Sequence, residues 1–106
     1  MSSNCFKHGI NIEQISAQGN MGTVSFRSRS EMDITCNLII LEEGGETYIP
    51  EEYMTMEREE ESIVIRITFP RPGVYILDCI GKTLTSSLFP LFTCTLECKA
   101  QQETRG

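Results

Sequence analysis

Five cysteines and a single histidine are the residues of this 106-residue sequence whose types could support nucleophilic or metal chemistry. Acyl transfer would need a nucleophile, a base and an orienting acid that converge in one cleft. Cys5 and His8 could supply the first two groups, but they stand near the N-terminus, where we expect little to fix their geometry. The sequence therefore predicts no catalytic residue, and we expect that the chain is not an enzyme.

Metal and cofactor sites have equally little support. The sequence contains no Cys-x-x-Cys pair, which structural zinc sites commonly use, and no acidic triplet has the spacing of an EF-hand loop. No glycine-rich phosphate loop is present either, because Gly44, Gly45 and Gly73 are spaced as turn residues before strands. We expect no metal and no cofactor.

The cysteines also bear on the cellular compartment. The first nine residues, Met-Ser-Ser-Asn-Cys-Phe-Lys-His-Gly, lack the apolar segment of a secretory signal. If Cys94 and Cys98 lie on one strand, their Cα atoms are roughly 13 Å apart, about twice the reach of a disulfide. We therefore predict reduced cysteines that act as small core residues, including a Cys79 without a partner across the core, and a cytoplasmic location.

Acidic residues are concentrated in one part of the chain. Nine of the fifteen lie between residues 42 and 61, where Arg58 is the only basic residue. Because binding to phosphate backbones needs clustered Lys and Arg, we expect no nucleic-acid partner. The longest apolar run covers only residues 38–41, so we expect no membrane partner. A solvated edge would account for the acidic segment, and the functional alternative is a docking surface formed by Glu51, Glu52, Glu57, Glu59, Glu60 and Glu61.

Alternating apolar and polar residues predict an all-β fold. No window shows apolar residues repeated at helical spacing, whereas β-branched and aromatic residues recur with a period of two. Turn residues separate seven predicted strands, and the pattern indicates a seven-stranded antiparallel immunoglobulin-like β-sandwich. The predicted strands are residues 10–15, 22–27, 32–41, 47–56, 62–69, 73–82 and 91–99.

The same alternation divides residues between two faces of each strand. One face forms the predicted core: Val24, Phe26, Met32, Ile34, Cys36, Leu38, Ile40, Ile63, Ile65, Ile67, Phe69, Tyr75, Leu77, Cys79, Phe92, Cys94, Leu96 and Cys98. In a sandwich of this topology the third and sixth strands are neighbours, which predicts an apolar stripe on the outer face of their sheet. The stripe would contain Ile39, Leu41, Val74, Ile76 and Ile80. It is either covered by the chain's own loops or used to bind a peptide or an adjacent domain.

Domain organisation follows from the length and the strand pattern. A chain of this size forms one domain. We expect a flexible N-terminal segment over residues 1–8, the β-sandwich over residues 9–100 and a flexible C-terminal tail over residues 101–106.

Two stretches near the C-terminus are similar to a known family. They are Phe69-Pro-Arg-Pro-Gly-Val-Tyr-Ile-Leu-Asp and Phe89-Pro-Leu-Phe-Thr-Cys-Thr-Leu-Glu-Cys. They resemble the immunoglobulin-like modules that accompany the transglutaminase-like domain in kyphoscoliosis peptidase and hillarin proteins, over residues 63–99. The first stretch also resembles filamin-type repeats. Tyr75 is placed to bury its ring while its hydroxyl caps nearby backbone, as in a tyrosine corner.

The resemblance implies a non-catalytic scaffold or interaction module, part of a larger cytoskeleton-associated protein. No residue matches the family's catalytic Cys, His and Asp, so none is carried over. We expect a protein partner or a neighbouring domain that contacts the outer stripe and is steered by the acidic segment. The alternatives are a secreted effector or adhesion-type β-sandwich, a non-catalytic fragment of a transglutaminase-like cysteine enzyme, and a homodimer through edge strands.

Overall fold

The computed structural model describes residues 4–7, 11–27, 33–82 and 88–99. Almost every described segment is a β-strand, as the period of two predicts. The strands are β1 (Asn4–Lys7), β2 (Asn11–Gln18), β3 (Met21–Arg27), β4 (Asp33–Glu42), β5 (Gly45–Tyr48), β6 (Met54–Glu59), β7 (Ser62–Thr68), β8 (Gly73–Lys82) and β9 (Leu88–Cys98), with a single 3₁₀ turn at Glu51–Tyr53.

The strands form two antiparallel sheets that pack face to face. One sheet has the order β1-β9-β8-β4-β5 and the other the order β2-β3-β7-β6. β4 and β8 are adjacent over nine residue pairs, which confirms that the third and sixth predicted strands are neighbours. The antiparallel β-sandwich predicted from the sequence is therefore confirmed.

The strand count differs from the prediction because the predicted strand over residues 47–56 is two strands. β5 pairs with β4 in the five-stranded sheet, whereas β6 pairs with β7 in the four-stranded sheet. Pro50 stands between them, and proline cannot donate the backbone hydrogen bond that would continue a strand within a sheet. The chain therefore crosses from one sheet to the other through the 3₁₀ turn. β1 is a further strand that the alternation did not predict.

The predicted core is confirmed over most of its length. The fully buried side chains include Val24, Phe26, Leu38, Ile40, Ile63, Ile65, Ile67, Phe69, Tyr75, Leu77, Cys79, Phe92, Cys94, Leu96 and Cys98, all of which the alternation assigned to the inside. Ile49 and Leu91 are buried as well, while Ile34 and Cys36 are partly buried at its margin. Met32 lies outside the described residues.

The turn before β8 has the arrangement expected of a tyrosine corner. The hydroxyl of Tyr75 donates to the carbonyl oxygen of Arg71 and accepts from the Arg71 backbone N–H at 3.3 Å. Burial raises the pKa of the Tyr75 hydroxyl, which keeps it protonated and able to donate. The Tyr75 ring packs against Phe69 with centroids 4.6 Å apart. The four-residue turn is thereby tied to the core.

Arg71 is an exposed turn residue with a specific partner. Its Nε and Nη2 atoms donate to Glu42 Oε2 at 3.0 and 2.7 Å. Those hydrogen bonds, together with one from Thr47, hold the pKa of the Glu42 carboxyl below its usual range. The pair links the end of β4 to the turn before β8 at the surface.

The expectation that the cysteines are reduced is wrong for part of the set. Cys36 and Cys79 form a disulfide, with Cα atoms 4.2 Å apart. They stand directly opposite each other on the neighbouring strands β4 and β8, so the bond lies within one sheet and does not cross the core. Cys94 also takes part in a disulfide. Spacing along one strand excluded a bond between Cys94 and Cys98, but the register between β4 and β8 had to be known to find this one.

Candidate interaction surfaces

Four of the five predicted stripe residues meet on the outer face of the five-stranded sheet. Ile39 of β4 stands opposite Ile76 of β8, and Leu41 stands opposite Val74. Such facing pairs on one side of an antiparallel sheet have Cβ atoms about 5 Å apart and touch directly. Leu41 is 40% exposed, and the other three side chains are half-buried among one another. The outer stripe is thus a continuous two-strand apolar surface.

Ile80 lies on the same face but apart from this group. Its partner on β4 is Thr35, and the pair between it and Ile76 is Asn37 with Asp78. Asp78 accepts a hydrogen bond at 3.0 Å from Thr93 of β9, so a satisfied polar group separates Ile80 from the stripe.

Tyr48 belongs to the outer surface and was missed by the sequence prediction. It is the Cα partner of Ile39 across β4 and β5, so its side chain is on the same face, and it is 67% exposed. The predicted strand over residues 47–56 obscured its role because that strand was taken to continue through Pro50. The proline was the signal that would have ended the strand at Tyr48 and placed it beside β4.

Acidic residues flank the stripe on both sides. Glu46 of β5 stands opposite Leu41, and Glu97 of β9 stands opposite Val74. Both carboxylates are exposed. The apolar centre is therefore bordered by negative charge, as in an interaction surface with an apolar core and a polar rim.

The predicted acidic docking residues lie elsewhere in the molecule. Glu51 and Glu52 are on the 3₁₀ turn, Glu57 and Glu59 are on β6, and Glu60 and Glu61 form the turn before β7. All six are exposed. Because β6 ends the four-stranded sheet, this acidic edge is not part of the face that carries the outer stripe. The structure keeps the two halves of the predicted site on different surfaces.

Part of the acidic edge is paired with arginines. Glu57 Oε1 lies 3.0 Å from Arg66 Nη1, and Glu61 Oε1 lies 3.6 Å from Arg27 Nη1. All four side chains are about half exposed. Ion pairs between such solvent-exposed side chains contribute little to the stability of the fold. They nevertheless reduce the charge that Glu57 and Glu61 present to a partner.

The residues considered for chemistry do not form a site in the described part of the chain. His8 and the side chain of Cys5 lie outside it. Cys98 is an unbonded thiol, but it is buried, points to the Gly19 carbonyl oxygen at 3.5 Å, and has its pKa raised by that burial. A raised pKa lowers the thiolate fraction that a nucleophile needs.

Converging metal ligands and membrane-spanning helices are two further features that could define a function. Within residues 4–7, 11–27, 33–82 and 88–99, no three Cys, His, Asp or Glu side chains converge as metal ligands. Nor does that part of the chain contain a helix with the length and hydropathy required to cross a membrane.

Comparison with known protein families assigns the chain to an immunoglobulin-like family. The family model described as KY-like, immunoglobulin-like domain matches residues 2–105, which is nearly the whole chain. No curated protein matches the sequence.

Proposed function

Because the chain belongs to the family of KY-like immunoglobulin-like domains, we propose that it is a non-catalytic protein-interaction module that binds its partner through the outer stripe. The immunoglobulin-like fold agrees with the resemblance seen in residues 63–99, and such domains generally carry no catalytic site of their own. The family also supports a place within a larger cytoskeleton-associated protein, which we include in the proposal.

The observation that carries the proposal is the contiguous apolar surface formed by Ile39, Leu41, Val74, Ile76 and Tyr48 on an open sheet face. An outer sheet face that only meets water is normally polar, because the strand alternates apolar side chains inward and polar side chains outward. Here both neighbouring strands place apolar residues on both faces. Such a surface gains free energy when a partner covers it, at about 25 cal/mol per Å² of apolar area.

Electrostatic steering in this proposal is assigned to the carboxylates nearest the stripe. Glu46 and Glu97 border it directly. The residues from Glu51 to Glu61 are on the other sheet's edge, and exposed charges are screened beyond about 8 to 10 Å at physiological salt. A basic partner of the outer stripe would therefore depend mainly on Glu46 and Glu97.

The proposal is tested by replacing Ile76 with glutamate. The change places a charge at the centre of the stripe without altering the core face of β8. Immobilised wild-type and I76E proteins would be used to capture partners from cells that express the protein, with quantification by mass spectrometry. We expect at least a tenfold loss of the specific partners and a nearly unchanged thermal unfolding temperature.

Val64→Glu is the matched control. Val64 is also apolar, half-buried and on an outer face, but it belongs to β7 of the opposite sheet. Partners should be retained by V64E and lost with I76E. If the three proteins capture the same set at equal levels, the outer stripe does not bind the partner.

A second candidate function is an extracellular adhesion-type β-sandwich, and the Cys36–Cys79 disulfide favours it. Disulfides persist in oxidising compartments and are rare in the cytosol. The two candidates differ in a direct measurement. Protein taken from its native cells into alkylating buffer would have all five cysteines modified if they are reduced, as the cytoplasmic module requires. If Cys98 is modified after denaturation but Cys36 and Cys79 are not, the result would support the extracellular candidate.

A further inference from the structure

Strand β4 is covered on only half of the side that faces away from β8. β5 pairs with residues Ile39 to Glu42, and the backbone N–H of Ile49 adds one hydrogen bond to the Leu38 carbonyl oxygen at 2.8 Å. Among the described strands, none pairs with residues 33–37 on that side. The first half of β4 is thus an edge although β4 lies inside its sheet.

The backbone groups of this half point toward the uncovered side. Cα atoms 4.2 Å apart identify Cys36 and Cys79 as a pair that does not exchange hydrogen bonds. The N–H and C=O of Cys36 are therefore directed away from β8, and so are those of Ile34, two residues earlier. Leu38 is the next alternate residue of β4, and its carbonyl oxygen accepts a hydrogen bond from the Ile49 N–H on the side away from β8. This bond confirms that the backbone groups of the alternate residues point to that side. An extended chain beside Ile34 and Cys36 would find backbone hydrogen-bond donors and acceptors at the spacing that a neighbouring β-strand uses.

The other described edges carry features that oppose strand addition. β1 and β5 are only four residues long. β2 has a register irregularity between Ile12 and Gln14, and β6 presents Glu57, Arg58 and Glu59 in succession. Short length, bulges and charges are the usual protections of edge strands. The uncovered half of β4 has one charged residue, Asp33, at its start, followed by the uncharged run Ile-Thr-Cys-Asn, and its register with β8 is regular.

A cleft with both apolar and polar walls opens beside this edge, between the two sheets. It has a volume of about 280 Å³ and is lined by Ile34, Thr35 and Cys36 of β4, Met54, Thr55 and Met56 of β6, and buried Ile65 of β7. The volume is below the usual range of small-molecule pockets but suits a side chain from an added strand. Met56 is 45% exposed there, and methionine adapts its shape to varied apolar ligands.

The charges around the cleft favour a basic occupant. Glu51 is the charged side chain in its lining, whereas Glu57 and Glu59 of β6 lie on the face of that strand opposite to Met54 and Met56. Glu57 is paired with Arg66, which leaves Glu51 as the carboxylate best placed to meet a cation in the cleft. An acidic peptide would be repelled at the same position.

We propose that the uncovered half of β4 and the cleft between β4 and β6 bind an extended, basic peptide of a partner protein. The peptide adds a strand beside Ile34 and Cys36 through backbone hydrogen bonds. One apolar side chain enters the cleft against Met54 and Met56, and a Lys or Arg lies against Glu51. Backbone pairing supplies affinity and alternate side-chain pockets supply specificity, as in other cases of strand addition. This site is separate from the outer stripe.

The test begins with a display library of random heptapeptides selected against the wild-type protein. The selected peptides, made synthetically with a fluorescent label, serve as probes in anisotropy titrations. We expect sequences in which apolar residues alternate with polar ones and Lys or Arg is enriched. Selection of acidic peptides, or of peptides without alternation, would overturn the proposal.

Met56→Arg fills the cleft with a charged side chain and should weaken probe binding at least tenfold. Met21→Arg is the matched control, because Met21 is a similarly exposed methionine, at 51%, on β3 outside the cleft. Equal affinity of M56R and wild type would contradict the proposal. If M56R fails to fold, Glu51→Lys replaces it, and we expect a tenfold loss of binding to basic probes. Glu43→Lys is its control, because Glu43 is exposed in the turn between β4 and β5 and outside the cleft.

Hydrogen exchange reports on the backbone directly. The amides of Ile34 and Cys36 should exchange at least tenfold more slowly when the probe is bound, and an unchanged rate at both would exclude strand addition at β4.

I76E should bind the probes as wild type does, so loss of probe binding in I76E with retention in M56R would assign the peptide to the outer stripe. Dimerisation abolished by M56R in sedimentation would instead identify a second copy as the occupant and overturn the partner peptide.

Discussion

A single hydroxyl group connects the turn before β8 to the core. Tyr75 is completely buried, and its oxygen satisfies both the N–H and the C=O of Arg71. Neither backbone group has a partner in the strand ladder, because Arg71 lies in the turn between β7 and β8. The role of Tyr75 was predictable from the Pro-Gly-x-Tyr pattern alone.

Replacing Tyr75 with phenylalanine should lower the free energy of unfolding by about 1 to 3 kcal/mol, because two partly buried backbone groups lose their partner. Urea denaturation measures the loss. Tyr48→Phe is the control and should change the stability by less than about 0.5 kcal/mol, since Tyr48 is mostly exposed. A Tyr75→Phe protein as stable as wild type would show that water replaces the hydroxyl.

Other residue-level features could not be read from the sequence. The core side chains follow from a period of two, which is a local property of each strand. The Cys36–Cys79 disulfide depends on how β4 is registered against β8, and many registers are compatible with the same alternation. The burial of Ile49 likewise depends on the path that the chain takes after β5.

At the scale of elements, prolines and glycines decide where strands begin and end. Pro50 ends β5 and sends the chain to the opposite sheet. Gly73 begins β8 with φ at +155°, which side-chain-bearing residues rarely adopt, and a Cβ atom there would lie 2.9 Å from Ile40 Cδ1. The strands themselves were largely predicted, whereas the division of residues 47–56 was missed, because alternation continues on both sides of Pro50 and masks the break that the proline signals.

Gly73→Ala should therefore destabilise the protein by about 1 to 3 kcal/mol, through backbone strain and the contact with Ile40. Gly44→Ala is the matched control, because its Cβ would meet no atom within 4 Å and its φ is not positive. Thermal or urea unfolding of the two variants makes the comparison. Equal stabilities would mean that the start of β8 adjusts without cost.

At the scale of the whole molecule, one covalent bond joins distant parts of the sequence. The Cys36–Cys79 disulfide closes a loop between residues 43 positions apart, which contains β5, β6 and β7. It therefore restricts the unfolded chain across both sheets. The residue pattern within a single strand contains no information about this constraint.

The double variant Cys36→Ala/Cys79→Ala should be less stable than the oxidised wild type by up to about 4 kcal/mol, the value that loop-closure entropy gives for this separation. Urea denaturation without reductant measures it. Each single variant should lose nearly as much as the double variant, because either change removes the same bond. A loss that is the sum of two small and independent effects would show that only side-chain packing was lost.

The two proposed surfaces are also properties of the whole molecule. The sequence predicted the outer stripe but not the cleft. The outer stripe followed from the alternation in β4 and β8. The cleft did not, because Ile34 and Cys36 have the pattern of ordinary core residues, and only the sheet order shows that none of the described strands lies beside them. An edge is a property of the assembled sheets.

Strand β4 contributes to both surfaces at once. Its odd-numbered residues Ile39 and Leu41 form part of the outer stripe, while its even-numbered residues Ile34 and Cys36 line the cleft. Substitutions can therefore alter one surface and leave the other intact, so the two binding properties are able to evolve separately. A one-residue insertion within β4 has the opposite effect, because it exchanges the faces of all later residues and would bring the outer-stripe residues to the inside.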